Sequence, residues 1–578
     1  MTSRTGGRAQ AAVLMAVTIA FAGGVGPVGA VWAAVASTTA SGISGPQAPT
    51  PVSTTPAPPT PTSSPDPSTD EPEPPEPTET AVPPTPEPTV TDEVVPPSEE
   101  PTPEPAPVDD SDDTELAPIE PAYANPDVDP ASWIIAIAVL LAGTAVLFMI
   151  HRRVPRRPPV DVELPHVSPE VHAEPAVVLG ALESSGEAMI DAGYSVVSVT
   201  EALSDIAAVN GYPTAEVVVF PTALFISASA DGQLRTGVVS SGHSALLLHQ
   251  VEELNDTIES AQSGALPAAA VPSRVAAIRR LPRPYSTAQR VIAYMFLSGG
   301  ISMLLGASWA GVLVSAVLGV IVGALLLAGA RAARQYQALI TVGASFLVGV
   351  SVFLLIRTEI EPGVLPALIA PLIILLPGAL LTTGVVELST GQMMAGAGRL
   401  AAGSMQLILL AVGIVAAAGV VGVPARDLTP AQEPLGALGP WLGVAAFGVG
   451  IVVYQCARPA SLGWILLVLY VAYGAQVLAD VFLGGVLSAF VGALAMTPVA
   501  VLVARQRSGP PAIVSFLPAF WLLVPGALGL VGVASVLGGD SGGVSSLVTT
   551  VSTMVAIALG VLAGTAITGR LRSGPGAI

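Results

Sequence analysis

Long apolar runs separated by short polar turns dominate the chain from residue 290 onward. Each run is close to the roughly 20 apolar residues that cross a bilayer as a helix, so the pattern predicts ten membrane-spanning helices. Grouped in fives, they predict a first half over 289–422 and a second half over 438–570. The ten runs lie near 290–306, 309–328, 339–356, 364–384, 400–421, 440–456, 461–479, 484–504, 512–535 and 544–568.

Three regions at the N-terminal side have other patterns. Residues 1–36 carry two arginines before an apolar run, which predicts a signal peptide or a signal anchor and leaves that choice open. Residues 37–130 are rich in Pro, Thr, Ser and acidic residues, which predicts a disordered extracytoplasmic tail. Residues 131–151 are apolar and run into an arginine cluster, which predicts a single transmembrane helix with its C-terminal end in the cytoplasm.

Residues 160–288 predict a small α+β cytoplasmic domain. The fold class is therefore a polytopic α-helical membrane protein with two inverted five-helix repeats, this domain and the tail. Helical periodicity and β-rich runs alternate in the domain. Helices are predicted near 175–192, 197–210, 244–260 and 268–280, and strands near 215–220, 223–228 and 234–240.

The arginines orient the ten predicted helices. Cytoplasmic loops carry an excess of positive charge, and both ends of the bundle are predicted to be cytoplasmic. Only Arg357 and Arg426 fall in loops that this topology places outside. Eight others fall in loops that it places inside: Arg331, Arg334, Arg399, Arg458, Arg505, Arg507, Arg570 and Arg572.

Composition excludes several classes of chemistry. The chain contains no lysine, which excludes Schiff-base enzymes and the lysine of a phosphate-binding loop. Its single cysteine, Cys456, excludes intrachain disulfides and cysteine-based zinc clusters, and no metal site is predicted. Residues 37–130 hold 20 of the 42 acidic residues and no basic one, and the rest of the chain is neutral. Nucleic acid is therefore not an expected partner.

Two apolar segments echo each other at matching positions of the halves. PLIILLPGALLTTGV begins at Pro371 in the fourth predicted helix, and PAFWLLVPGALGLVGV begins at Pro518 in the ninth. Five helices per repeat reverse the orientation, so the echo predicts an inverted repeat with helices interrupted at Pro377-Gly378 and Pro525-Gly526. Interruptions of this kind form binding sites in many secondary transporters. The alternative is a pair of structural kinks.

The interruptions provide the candidate substrate site. Its predicted residues are Pro377, Gly378, Thr382, Thr383, Pro525 and Gly526. Glu387, just past the first interruption, is the candidate for proton coupling, and an interfacial ion pair with Arg399 is the alternative. No arginine falls inside an apolar run, which favours a neutral or zwitterionic solute over a dicarboxylate.

The domain also raises an enzyme hypothesis. Ser240-Ser241-Gly242-His243 places hydroxyl groups beside an imidazole, but no nucleophile elbow of the GxSxG type is present. Loop polarity is the preferred interpretation, so the chain is not predicted to be an enzyme and no cofactor is expected. A membrane-anchored enzyme or sensor that acts through residues 160–288 stays open as an alternative.

Three stretches carry a resemblance to a known family. GEAMIDAGYSVVSVTEALSDIAAVNGYPTAEVVVFPTALFIS (186–227), LPGALLTTGVVELSTGQMMAGAGRL (376–400) and LPAFWLLVPGALGLVG (517–532) resemble the threonine/serine exporter family. The resemblance extends over about 175–570 and is to a form in which both five-helix halves are fused. Residues 1–150, with the acidic Pro-rich extension, lie outside it.

The resemblance implies proton-driven export of threonine, serine or similar amino acids, with dicarboxylates as the alternative substrates. We therefore expect a multi-pass protein of a bacterial plasma membrane, with residues 160–288 inside and residues 37–130 outside. The expected partners are a small amino acid, protons and the lipid bilayer. The sequence leaves open the oligomeric state and a cell-wall contact through the tail.

Overall fold

The computed structural model describes residues 130–153, 174–230, 233–240, 245–357, 363–422, 435–506, 508–523, 525–537 and 543–570. The predictions for residues 1–36 and nearly all of 37–130, and for His243, lie outside the described residues. The described part begins with helix α1 (Pro130–Arg153), at the position of the single helix predicted over 131–151.

Residues 174–286, here named the sheet domain, combine helices with one antiparallel sheet. Helices α2 and α3 precede three strands in the order β1-β2-β3, and helices α4 and α5 follow. Pro272 lies in the first turn of α5, after a short 3₁₀ segment, so the helix predicted from residue 268 begins three residues later. The elements are α2 (Pro175–Asp191), α3 (Val196–Val209), β1 (Glu216–Phe220), β2 (Ala223–Ala230), β3 (Gln233–Ser240), α4 (Leu248–Gln262) and α5 (Val271–Arg279).

One face of the sheet packs on helices α2 and α3. Leu224 and Ile226 on β2 are fully buried, as are Leu182 on α2 and Leu203 on α3. A Cβ atom added at Gly186 would lie 2.8 Å from Leu224 and 3.0 Å from Leu203, so glycine permits this close approach. Apolar burial on this face holds the domain together.

In the described part of the chain, twelve α-helices follow the sheet domain. Within the described residues, six of them (α7, α8, α11, α13, α14 and α17) are long and apolar enough to cross a membrane, and the bent pair α9–α10 makes a seventh. The chain is thus a multi-pass membrane protein, and the count of ten spans stays a prediction. The helices are α6 (Thr287–Leu304), α7 (Trp309–Gly329), α8 (Gln337–Ile356), α9 (Val364–Ile369), α10 (Gly378–Ser389), α11 (Met393–Val421), α12 (Gly439–Tyr454), α13 (Leu462–Leu483), α14 (Gly485–Ala504), α15 (Ala512–Leu522), α16 (Pro525–Leu537) and α17 (Gly543–Arg570).

The sheet domain contacts one end of the helix bundle, here named the domain end. The C-terminal end of α10 and the N-terminal part of α11 lie there, because Glu387 and Arg399 bond to residues 194–196. The end of α12 and the start of α13 lie there too, because His249 bonds to Cys456 and Glu252 bonds to Ser461.

Other loops meet at the opposite end, here named the far end. The turn after α6 packs Met303 and Ala307 against Leu435, which precedes α12. Arg357, at the end of α8, donates a hydrogen bond to the carbonyl of Val421, at the end of α11. Helix α11 therefore runs from the domain end to the far end, and α12 returns to the domain end.

The two halves repeat the same helix pairings. The third and fifth helices pack together in each half, α8 with α11 and α14 with α17. Gly349 and Gly413 make the close contacts of the first pair, and Gly560 and Gly564 make those of the second. Each fifth helix also packs on the broken helix of the other half, α11 on α16 and α17 on α10.

Helix α1 packs along α13 in the opposite direction. Gly143 of α1 approaches Val471 and Leu467, and the earlier residue Leu140 approaches the later residue Gly474. Later residues of α1 thus contact earlier residues of α13, so the two helices are antiparallel. Since α13 begins at the domain end, the C-terminal end of α1 also points toward that end.

The first helices of the two halves, α6 and α12, cross with their backbones in direct contact. A Cβ atom at Gly300 would lie 2.5 Å from the Phe447 backbone nitrogen and 2.6 Å from the Gly443 carbonyl oxygen. Main-chain atoms cannot rotate away as a side chain can. Small residues thus allow the backbones to touch, which is how helices associate in lipid, where burial of apolar surface offers little gain.

We expect Gly300→Ala to destabilise the protein by about 1–3 kcal/mol, because the new methyl group forces α6 and α12 apart. Gly343→Ala is the matched control, since a Cβ atom at this exposed helical position meets nothing within 4 Å. The control should be neutral or slightly stabilising. Melting of both variants in detergent measures the difference, and equal melting temperatures would contradict the close crossing.

Candidate functional site

The fourth predicted span is broken in its middle. Helix α9 passes into a 3₁₀ segment (Ala370–Leu375), Leu376 is extended, and α10 begins after Pro377 at an angle of 62°. A residue before proline disfavours the helical conformation, and proline has no N–H to continue the helical hydrogen bonds. The break at Pro377-Gly378 therefore lies where the sequence predicts it.

Neighbouring side chains bond two of the carbonyl groups at the break. The Tyr294 hydroxyl on α6 donates to the Pro371 carbonyl at 2.9 Å, and the Gln406 amide on α11 donates to the Leu375 carbonyl at 2.9 Å. Tyr294 is fully buried and Gln406 is half-buried. Polar backbone inside a membrane persists only where protein or a water-filled cavity satisfies it, and these two side chains do so here.

Thr382 lies one turn into α10 and is completely buried, yet its hydroxyl has no hydrogen-bond partner. Thr383 beside it is half-buried. Gly378, Ala379 and Leu380 form the first turn of α10, where backbone N–H groups lack helical acceptors. The predicted residues of the first half thus surround a helix N-terminus that carries a free buried hydroxyl.

The second Pro-Gly pair also lies at a helix break. Helix α15 ends at Leu522 and α16 begins at Pro525, followed by Gly526. Helix α10 packs against both α15 and α16. On the other side of α16, a Cβ atom at Gly529 would lie 3.0 Å from Leu407. Helix α10, which follows the first Pro-Gly pair, therefore lies against both helices that flank the second pair.

Glu387 does not join the break. It lies nine residues beyond Gly378 on α10, about 14 Å away along the helix. Its buried carboxylate accepts a 3.2 Å hydrogen bond from the Val196 N–H, at the N-terminus of α3, and a 2.9 Å bond from Arg399. Arg399 also donates to the Tyr194 carbonyl. The ion pair with Arg399 is present, and it fastens the sheet domain to the first half.

A second polar contact fastens the sheet domain to the second half. Arg458 lies 3.1 Å from Glu252 and also bonds Glu253, both on α4. The Ser461 hydroxyl donates to Glu252 at 2.9 Å. Glu252 is 4% exposed, so its carboxylate depends on these partners. The sheet domain therefore bridges both halves at one end of the bundle.

His249 belongs to the same contact. Its Nδ1 lies 3.0 Å from the carbonyl oxygen of Cys456, and its backbone N–H donates to that oxygen as well. Burial lowers the pKa of His249, and the charges of Arg458 and Arg283 lower it further, while the hydrogen bond to the backbone of Cys456 opposes the shift. The neutral imidazole is the form that fits this interface.

Some of these residues have a weak signal in the sequence and others have none. Tyr294 and Gln406 are polar side chains inside predicted apolar helices, which marks them as candidates. The pairing of Arg458 with Glu252 joins residues about 200 positions apart, so no local pattern reveals it. Within the described ranges, no three His, Cys, Asp or Glu side chains lie together as a metal site would require.

Part of the chain is similar to a known protein family. A family model described as "Putative threonine/serine exporter" matches residues 181–421. This segment is similar to the threonine/serine exporter family. It begins in α2, includes the rest of the sheet domain and ends at the last residue of α11. The exporter resemblance predicted from the sequence is confirmed there, and the second half lies outside the match. No curated protein and no solved structure shows significant similarity to the chain.

We expect the stability of the protein to fall as the pH drops below about 6.5, where a free histidine gains a proton. His249, with its lowered pKa, resists protonation in the docked state, so acid favours the undocked state. His249→Asn keeps an N–H group near Cys456 but cannot titrate. Melting at about pH 7.5 and about pH 5.5 should show a smaller acid-induced drop for the variant. Equal drops would contradict a role for His249.

Proposed function

We propose that the protein is a secondary exporter of small amino acids of the threonine/serine type, and that it works by alternating access between two inverted halves. The family match over 181–421 supports the substrate class. The observation that carries the mechanism is the contact of α10 with α15 and α16, because α10 follows the first Pro-Gly pair and the other two helices flank the second. In inverted-repeat transporters the substrate binds at such paired breaks, between the parts that move.

The contacts at the two bundle ends support ten spans with the sheet domain in the cytoplasm. With ten alternating spans, the loops after spans four and six fall on the side of the sheet domain. These are the loops that bond to Tyr194 and to His249. The antiparallel packing of α1 on α13 agrees with residues 37–130 outside. The arginine distribution then makes the domain end cytoplasmic in a bacterial plasma membrane.

The sheet domain acts as a gate at the cytoplasmic end of the bundle. It bonds to α10 and α11 of the first half and to residues 455–461 of the second half. Opening toward the cytoplasm requires the halves to separate at this end. At least one of the two sets of contacts must then break, so docking of the domain opposes opening.

Glu387 links a proton to this gate. Its carboxylate accepts from both Arg399 and the Val196 N–H, and protonation would remove the charge that holds them. The first half would then be released from the sheet domain. Proton binding at Glu387 thereby couples the proton gradient to opening at the cytoplasmic end, while the substrate binds about 14 Å away, at the Pro-Gly breaks.

Right-side-out vesicles that contain the full chain test the function. We expect labelled serine or threonine loaded inside to leave faster than from empty vesicles, and an acidic exterior to accelerate the efflux, because protons then run inward. Efflux that ignores an imposed pH gradient would reject proton coupling. Efflux of a labelled dicarboxylate without either amino acid would replace the proposed substrate class.

The variant Glu387→Gln tests the coupling residue. We expect it to retain efflux of labelled serine down a concentration gradient and to lose most of the acceleration by an acidic exterior, because the amide cannot take up the proton. Glu187→Gln is the matched control: that carboxylate also contacts an arginine, Arg279 at 3.2 Å, but lies within the sheet domain and is part-exposed. Acceleration unchanged in Glu387→Gln would assign the coupling to another group.

A further inference from the structure

We infer that the break at Pro377-Gly378 binds the substrate by its carboxylate, with the Thr382 hydroxyl as a direct donor, and that Tyr294 and Gln406 prevent the substrate ammonium from binding there. This inference rests on the proposed function and assigns a polarity to its site. The expected solutes are then monocarboxylates, and their α-amino group contributes little to binding at this break.

The acceptors at the break are already occupied. Carbonyl groups released by a broken helix attract an ammonium group or a cation when they are free. Here the Tyr294 hydroxyl and the Gln406 amide donate to the carbonyls of Pro371 and Leu375, both at 2.9 Å. An ammonium group would have to displace these neutral donors. The described contacts thus leave the break poor in available acceptors.

Donors, in contrast, remain open at the same place. The first turn of α10 presents the N–H groups of Gly378, Ala379 and Leu380, and the positive end of the helix dipole favours an anion. Thr382 adds a hydroxyl that is completely buried and has no partner. The Cα–Cβ bond of a helical residue tilts toward the helix N-terminus, so the Thr382 side chain leaves α10 on the side of its first turn.

Other buried threonines show that Thr382 is unusual. A threonine in a helix commonly bonds to the carbonyl four residues earlier. Thr341, Thr497 and Thr550 all do so, with partners Gln337, Ala493 and Ser546. Thr382 is as buried as they are but makes no such bond, although Gly378 lies four residues earlier. A buried donor is costly to leave unpaired, and a bound carboxylate satisfies it.

The charges limit the anion to one carboxylate. Within the described bundle, the buried Arg290 and the part-buried Arg399 lie at the domain end, where Arg290 donates to the Tyr454 carbonyl and Arg399 pairs with Glu387. A helix N-terminus carries only about half a positive charge. It can balance one carboxylate in part but not two. Serine and threonine meet this requirement, and so does a hydroxy monocarboxylate without an amino group.

Ligand-induced thermal stabilisation of the purified full chain in detergent tests the polarity. The probes are serine, 3-hydroxypropionate (which lacks the amino group) and ethanolamine (which lacks the carboxylate). We expect serine and 3-hydroxypropionate to raise the melting temperature and ethanolamine to leave it unchanged. Thr382→Val should weaken the binding of serine and of 3-hydroxypropionate about tenfold, which is the usual effect of losing one hydrogen bond to a charged group.

Matched variants separate binding from folding. Thr382→Ser keeps the hydroxyl and should bind serine nearly as the native protein does. Thr497→Val removes a buried hydroxyl that is already bonded to its own helix and should leave binding unchanged. Gln406→Leu frees the Leu375 carbonyl, so ethanolamine should begin to stabilise this variant.

The outcomes distinguish this inference from the proposed function. Stabilisation by ethanolamine equal to that by 3-hydroxypropionate overturns the inference, as does native affinity in Thr382→Val or no stabilisation by either carboxylate. Stabilisation by the carboxylates without any efflux from vesicles would leave the inference standing and reject export instead.

Discussion

Unpaired backbone groups inside a membrane are the constraint on which the rest of this structure depends. Pro377 interrupts the fourth span, and lipid offers no partner for the groups that the break releases. Tyr294 on α6 and Gln406 on α11 supply partners, so both helices must stay beside the break. The break therefore determines which helices surround it.

Two kinds of contact stabilise different parts of the molecule. Within the membrane-spanning part, glycines such as Gly300, Gly413 and Gly560 let helices approach until their backbones touch. At the domain end, charged and hydrogen-bonded side chains join the sheet domain to both halves. The first kind is insensitive to protons, and the second includes Glu387 and His249. A protein with this division can keep each half rigid while it regulates the contact between them.

The two breaks have the same sequence motif but different surroundings. Pro377-Gly378 is followed by Thr382, whereas the matching position after Pro525-Gly526 is Leu530, which is buried. Since a hydroxyl follows only the first break, we assign recognition of the polar end of a solute to the first half. The second break then contributes mainly shape and the flexibility of an interrupted helix.

The sequence by itself determined the broad layout. Apolar runs located the helices, the repeated Pro-Gly motif located both breaks, and the stretch 186–227 indicated the exporter family, because these signals depend on neighbouring residues alone. Only the tertiary structure decided what the polar residues contact. Glu387, equally open from the sequence to a role at the break or at an interface, lies at the interface, and Gln406, a polar residue with no partner evident from the sequence, lies at the break. Such contacts join residues 30 to 200 positions apart along the chain, as between Gln406 and Leu375 or Arg458 and Glu252, and no local pattern encodes them.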